Sequence, residues 1–278
     1  MQKQYIFIKL ITLLIKNPKL VAVIFCVSMV LYAYEVFVAR DKMVYMGIPK
    51  AQEFSLNSWV RIFRNDAYIV GYSDVRGNPL WIAYKLKQAL PNTPSLKRPE
   101  NFSADVRNIT FINANDYTNS GYDRGHMAPN HAIALLYGKK AQVETFLMTN
   151  ITPQKSNLNQ KIWQKLEEIE LEQFTQKFKE VWVYTGPLFD KNTQRLKSSS
   201  WVEIPDAFYK IYIGIKEDGT FKTLSFIIPQ NVKPHEKIEK FVVNIDTIEK
   251  LSGFDFLHEL EDNMENEAEK KVSITDWL

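Results

Sequence analysis

Leu20 to Val38 is an apolar run of nineteen residues broken only by Glu35, and it divides the chain before any fold can be considered. A stretch of that length just crosses a bilayer as a helix. Lys3, Lys9, Lys16 and Lys19 all precede it, so the positive-inside rule puts the N-terminus in the cytosol and the rest of the chain on the far side. Residues 5–15 are also apolar and read as an interfacial helix. Residues 1–40 are therefore expected to be a single-pass membrane anchor. The remainder of the chain would then face the periplasm, the cell exterior or an organelle's intermembrane space. A cleaved signal peptide is the first rival, although Phe37-Val38-Ala39 is a poor cleavage site. An organelle-targeting segment or a buried helix is the other.

Cys26 is the only cysteine. No intramolecular disulfide can form, so the fold must rest on its core, and an apolar content of 45% is enough to build one. The net charge of +3 is unevenly spread. The anchor is basic, residues 259–278 carry seven acidic residues against two lysines, and the middle is mildly basic. That balance permits a nucleic-acid partner without pointing to one. Residues 41–64 read as a linker, 65–260 as one catalytic-sized domain, and 261–278 as an acidic tail with frayed ends.

Within the domain, Ala67–Tyr72 and Leu80–Leu86 read as strands joined by the turn residues 74–79. Val181–Thr185 reads as a buried strand. Ala207–Ile215 and Phe221–Ile228 flank the hairpin signal Asp218-Gly219. Residues 236–251 have helical spacing. Residues 91–120 form a long polar loop, and loops of that length in a domain tend to be functional. The pattern predicts an α+β fold with a central, largely antiparallel sheet flanked by helices.

Two segments carry chemistry. Residues 153–180 read as a helix whose core face is Leu158, Ile162, Leu166, Ile169, Phe174 and Phe178. Asn159, Trp163 and Glu167 form a second stripe at four-residue spacing, placing a carbonyl oxygen and a carboxylate on one side. Alone, that stripe reads more readily as a solvated flank. The second segment, Asp123-Arg124-Gly125-His126-Met127-Ala128-Pro129-Asn130-His131, sets two histidines, an arginine and an aspartate among Gly and Pro. An imidazole suits proton abstraction from water near neutrality. A guanidinium matches phosphate in a planar fork.

Asp123-Arg124-Gly125-His126, followed by the block from Thr149 to Gln160 and by Trp163 and Leu166-Glu167, resembles the DNA/RNA non-specific endonuclease family. Leu80-Trp81, Tyr184-Thr185-Gly186-Pro187-Leu188, Ile204-Pro205, Phe208-Tyr209-Lys210 and the region from Ile248 to Gly253 are similar to further family segments. The resemblance covers roughly residues 65–260 and implies a ββα-metal nuclease fold. It implies His126 as general base, Asn159 as the Mg²⁺ ligand (Mn²⁺ substituting), and Glu167 as the residue orienting the ion's water. Arg124 and Asn150 match active-site positions, and Arg98 matches an upstream arginine that stabilises the transition state. DNA and RNA are the implied substrates, and the resemblance also allows a homodimer, as family members often dimerise, although no interface is readable in the sequence.

A divalent cation offsets the charge of a phosphodiester and of its leaving oxygen, and Mg²⁺ needs few protein ligands. Contacts to phosphate and sugar carry no base identity, which suits a non-specific enzyme. The rate is expected to fall as pH drops through the His126 pKa. The alternatives are a phosphodiesterase for small nucleotides on the same scaffold, and an inactive nucleic-acid-binding membrane protein.

Overall fold

Strand periodicity sets the architecture of the chain, described here for residues 2–278 from a computed structural model. The elements divide into two compact units, residues 1–42 and 43–278. The first unit contains α1 (Gln2–Lys16) and α2 (Pro18–Tyr34), whose last turns widen over Glu35–Ala39. Pro18 opens α2, where its missing N–H costs nothing. Among the described residues one helix, Pro18–Met43, is long and apolar enough to cross a membrane, and its apolar window is wholly exposed within the protein.

The second unit begins with β1 (Lys50–Ala51), β2 (Arg61–Arg64), β3 (Tyr68–Ser73) and β4 (Asn78–Leu86). After the long loop come β5 (Asp123–His126), α3 (Asn130–Glu144) and β6 (Ile151–Gln154). A helical run over residues 158–177, here the cleft helix, includes α4 (Gln164–Ile169) and α5 (Thr175–Lys177). There follow β7 (Glu180–Leu188), β8 (Arg195–Leu196), β9 (Ser199–Glu203), β10 (Ala207–Ile215) and β11 (Phe221–Pro229). The chain closes with β12 (Val242–Val243), α6 (Ile245–Ser252), β13 (Phe254–Asp255) and α7 (Asp262–Lys270).

Seven strands make one antiparallel sheet in the order β12-β11-β10-β7-β4-β3-β2. Because successive side chains alternate across a strand, each strand feeds two cores. Tyr68, Val70 and Tyr72 of β3, Ile82 and Tyr84 of β4, and Phe208 and Tyr212 of β10 pack under the cleft helix. Ile69, Trp81, Ala83, Tyr209, Ile211 and Ile213 pack on the opposite face with Ile245, Ile248 and Phe254. Burial on both faces explains why these strands read as near-continuous apolar runs. At Gly71 a Cβ would come within 2.2 Å of the Trp81 ring, so the indole can lie against the backbone only there.

The expected α+β sheet, the β3–β4 hairpin and the β10–β11 hairpin are all present. Four expectations need correction. Residues 43–64 are not a linker: β2 pairs with β3, β1 pairs with β13, and the Tyr45 N–H donates to the Tyr184 hydroxyl at 2.9 Å. Residues 261–278 are not frayed, because α7 forms and Trp277 is fully buried against Phe174, Phe178 and Tyr212. Residues 236–251 are helical throughout only from Ile245, after a 3-10 turn and the short β12. The helix expected from Pro153 starts later, since the backbone of β6 is committed to β5.

Candidate active site

β5 and β6 form a two-stranded antiparallel ribbon that leads into the cleft helix. Its register sets Arg124 opposite Pro153 and His126 opposite Ile151. This is the ββα arrangement. Gly125 is required by close approach: a Cβ would lie 2.1 Å from Gln154 Oε1 across the ribbon. The ribbon and helix wall a cleft of about 480 Å³, lined by Arg98, Arg124, His126, Asn130, Asn159 and Glu167 among others. Five of the six residues singled out in the sequence therefore share one cavity.

His126 sits between two aromatic rings, with Phe102 at 5.4 Å and Phe146 at 5.0 Å between centroids. Burial first, and then the charge of Arg98, lowers its pKa to about 3. The imidazole is thus neutral at physiological pH, and its buried Nε2 has no hydrogen-bond partner among the described residues. Each flanking ring also carries a guanidinium: Arg98 lies 5.2 Å from the Phe146 centroid and Arg124 lies 5.7 Å from that of Phe102. Arg124 is held further by donating from Nη2 to the Ala114 carbonyl at 2.6 Å.

Asn159 is aimed by Asp123. Its Nδ2 donates to Asp123 Oδ2 at 3.0 Å, which leaves the amide oxygen for the cleft. Asp123 also accepts from Gln160 Nε2 at 2.8 Å and from Ser156 Oγ at 3.0 Å. The cleft helix is widened to i→i+5 bonding over Leu158–Trp163, a feature frequent at functional sites. Trp163 does not line the cleft with Asn159 and Glu167; it is buried against Phe208. Glu167 Oε1 is shut from solvent with no hydrogen-bond partner among the described residues. Burial raises the Glu167 pKa to about 8, with Lys210 working against that rise and Glu170 adding to it.

Asn150 lies elsewhere. It is fully buried, with Oδ1 accepting from the Ala128 N–H at 2.8 Å and Nδ2 donating to the Ala128 and Thr145 carbonyls at 3.0 and 2.8 Å. Its backbone oxygen accepts from the Met127 N–H at 3.0 Å. It fastens the chain just after His126 and does not line the cleft.

Sequence reasoning misses Asp123 as a clamp and Asn130 as a cleft residue. Asn130 Oδ1 is buried and without a partner among the described residues. The available signal is three amide or hydroxyl donors (Ser156, Asn159, Gln160) gathered at one helix start with a motif aspartate unassigned. The donors facing the cleft, an amide oxygen from Asn159, a carboxylate from Glu167 and the orphaned Asn130 oxygen, are hard ligands. They fit a small divalent cation such as Mg²⁺.

A ββα ribbon and helix on a central antiparallel sheet, with a neutral histidine beside oxygen donors, define a nuclease-like hydrolase architecture. Residues 50–263 match the DNA/RNA non-specific endonuclease family, and the chain belongs to that family. It is a nuclease, a hydrolase of nucleic acids. It is 30% identical to mitochondrial endonuclease G of Bos taurus over 226 residues, covering 76% of this chain and 74% of that one. It is 28% identical to the human protein of the same name, covering 74% and 72%, and 29% identical to a nuclease of Nostoc sp., covering 74% and 76%. The solved structure of an EndoG/EndoGI complex superposes with a TM-score of 0.66 at 23% identity, covering 79% of this chain and 90% of that one, a likeness of fold.

Proposed function

We propose that the chain is a Mg²⁺-dependent endonuclease that cuts DNA and RNA without sequence preference, with Mn²⁺ able to substitute. The observation that carries this reading is the juxtaposition, in one cleft, of a neutral His126 whose Nε2 has no partner among the described residues and the oxygen donors Asn159 and Glu167. Asn159 would hold the ion and Glu167 would orient its water; when bound, the ion supplies charge neutralisation at the phosphate and its leaving oxygen. His126 Nε2 accepts the proton of the attacking water. Arg98 and Arg124, propped on Phe146 and Phe102, bind the phosphate as its charge develops. Asn150 acts as a positioning residue for the turn that follows His126. Residues 1–42 serve as a membrane anchor, so that the nuclease unit works at a membrane surface on the extracytosolic side.

The direct test incubates the full chain with plasmid DNA, total RNA and dinucleotides, in Mg²⁺ or in EDTA. Internal cleavage of both polymers in Mg²⁺, and none in EDTA, is expected. Hydrolysis confined to dinucleotides would replace the endonuclease reading with a small-nucleotide phosphodiesterase.

The clamp on Asn159 gives a second expectation. Asp123→Ala frees the Asn159 amide to rotate, and residues that orient a metal ligand typically matter 10–100-fold. The Mg²⁺ concentration for half-maximal rate should rise by about that factor, while the rate at saturating Mg²⁺ changes less. An unchanged Mg²⁺ requirement would remove Asp123 from this role.

A further inference from the structure

On the sheet face opposite the cleft, α6, β13 and α7 bring five carboxylates together. Asp246, Glu249 and Glu269 form one triad, and Asp255, Glu265 and Glu269 form another; within each, one oxygen per residue lies within 4.8 Å of the others. An ion bonded to oxygen at about 2.4 Å can bridge atoms twice that distance apart.

Acidic clusters are common on surfaces without an ion. Glu269 sets this one apart. It is 8% exposed, it belongs to both triads, and its Oε1 is shut from solvent with no hydrogen-bond partner among the described residues. After burial, the largest influences on it come from other carboxylates: Glu249, Glu265, Asp246 and Asp255. Glu249 is fixed in place, its Oε1 accepting the Phe256 N–H at 2.7 Å. Burial, reinforced by neighbouring carboxylates, raises Glu249 to about 7 and Glu269 to about 8.

We propose that this cluster is a second cation site, of calcium type, that fastens the C-terminal segment to the nuclease domain. The donors are all carboxylate oxygens, which select a hard cation. Several carboxylates in irregular array suit Ca²⁺, which takes six to eight oxygens in flexible geometry, better than Mg²⁺, which keeps its waters. The family match ends at residue 263, so Glu265 and Glu269 lie beyond it while Asp246, Glu249 and Asp255 lie within it. An ion here ties α7 to α6 and β13. α7 is also joined to β11 by Thr223 Oγ1 donating to the Ala268 carbonyl at 3.0 Å.

The test strips the full chain with EDTA, titrates it with Ca²⁺ by calorimetry and follows thermal unfolding. Saturable uptake is expected, with Tm rising by about 5 °C at a hundredfold excess over Kd. Glu269→Gln should lose that rise, yet its Tm in EDTA should be no lower than that of the unaltered chain, because a buried repulsive acid is gone. Asp255→Asn, on a less buried residue, should lose the rise as well and stands in if Glu269→Gln does not fold. Both variants should keep the original nuclease rate in Mg²⁺. A Ca²⁺-dependent rise that is equal in the unaltered chain and both variants, or no rise in any, would overturn the site.

Discussion

Replacing His126 with alanine should lower hydrolysis of both DNA and RNA by about 10³-fold, within the range typical of a lost general base. The pH profile of the unaltered chain then separates two groups. Burial between Phe102 and Phe146, with the Arg98 charge nearby, holds the His126 pKa at about 3. The limb that belongs to it should therefore fall only in strong acid, and not across neutrality as the bare imidazole predicts. Glu167 behaves oppositely. Burial raises it to about 8, so ion binding must expel a proton, and apparent Mg²⁺ affinity should climb as pH rises towards 8. At low Mg²⁺ an acid limb appears that belongs to Glu167 and moves to lower pH as Mg²⁺ is added; the His126 limb does not move. Stability follows the same signs. His126, depressed in the fold, contributes stability above its unfolded pKa of about 6.5 that is lost as pH falls towards 3. Glu167, raised in the fold, contributes stability below its unfolded pKa of about 4.5 that is lost as pH rises through 8. Rate measurements from pH 3 to 9 at two Mg²⁺ concentrations decide the matter. A limb fixed near pH 6.5 at saturating Mg²⁺ would mean that His126 is not held neutral by its surroundings, and a rate retained in the alanine variant would remove it as the base.

What the sequence makes legible depends on whether a residue's role is local. The strands of the central sheet are readable because alternation is a local property, and β10 has the bounds its sequence pattern predicts. His126, Arg124, Asn159 and Glu167 are readable because a motif compresses them into two short segments, and the cleft does gather them with Arg98. Trp277 shows the opposite case. It ends a segment rich in acidic and polar residues, so composition predicts a tail, while its partners Phe174 and Phe178 lie about a hundred residues earlier. Residues 43–64 fail for the same reason: β2 and β1 gain their hydrogen bonds from β3 and β13, and an isolated edge strand has no signature beyond a few apolar residues. α3 escapes notice because Gly138, at φ 83°, interrupts it and breaks the helical period. Asn150 sits inside the motif yet outside the cleft, because a motif records which residues are needed and not whether they touch substrate or hold the backbone.

The largest stability effect is expected at a pair that no local pattern reveals. Lys210 and Glu170 are fully buried, with Nζ 2.8 Å from Glu170 Oε2. The pair is further bonded: Tyr84 donates to Glu170 Oε1 at 2.9 Å, Tyr212 donates to Oε2 at 2.7 Å, and Lys210 Nζ also donates to the Tyr84 hydroxyl at 3.1 Å. Its ammonium lies 4.9 Å from the centroid of Trp163, on the core side of the cleft helix. Removing either charge strands the other in the core. Lys210→Met and Glu170→Gln should each cost about 3–5 kcal/mol, lowering Tm by roughly 10 °C or more in a domain of this size. Replacing both, as Lys210→Met with Glu170→Gln, should cost far less than the two losses together, because no charge is left unpaired; a double-mutant cycle measures the difference. The single variants should also diverge at the site. Lys210 lowers the Glu167 pKa and Glu170 raises it. Lys210→Met should therefore weaken Mg²⁺ activation at neutral pH, and Glu170→Gln should strengthen it, even though both destabilise the fold. Equal shifts in Mg²⁺ requirement would make the pair a structural strut alone. Opposite shifts would mean that the core beneath the cleft helix sets the charge of Glu167, and with it the pH at which the nuclease can take up its ion.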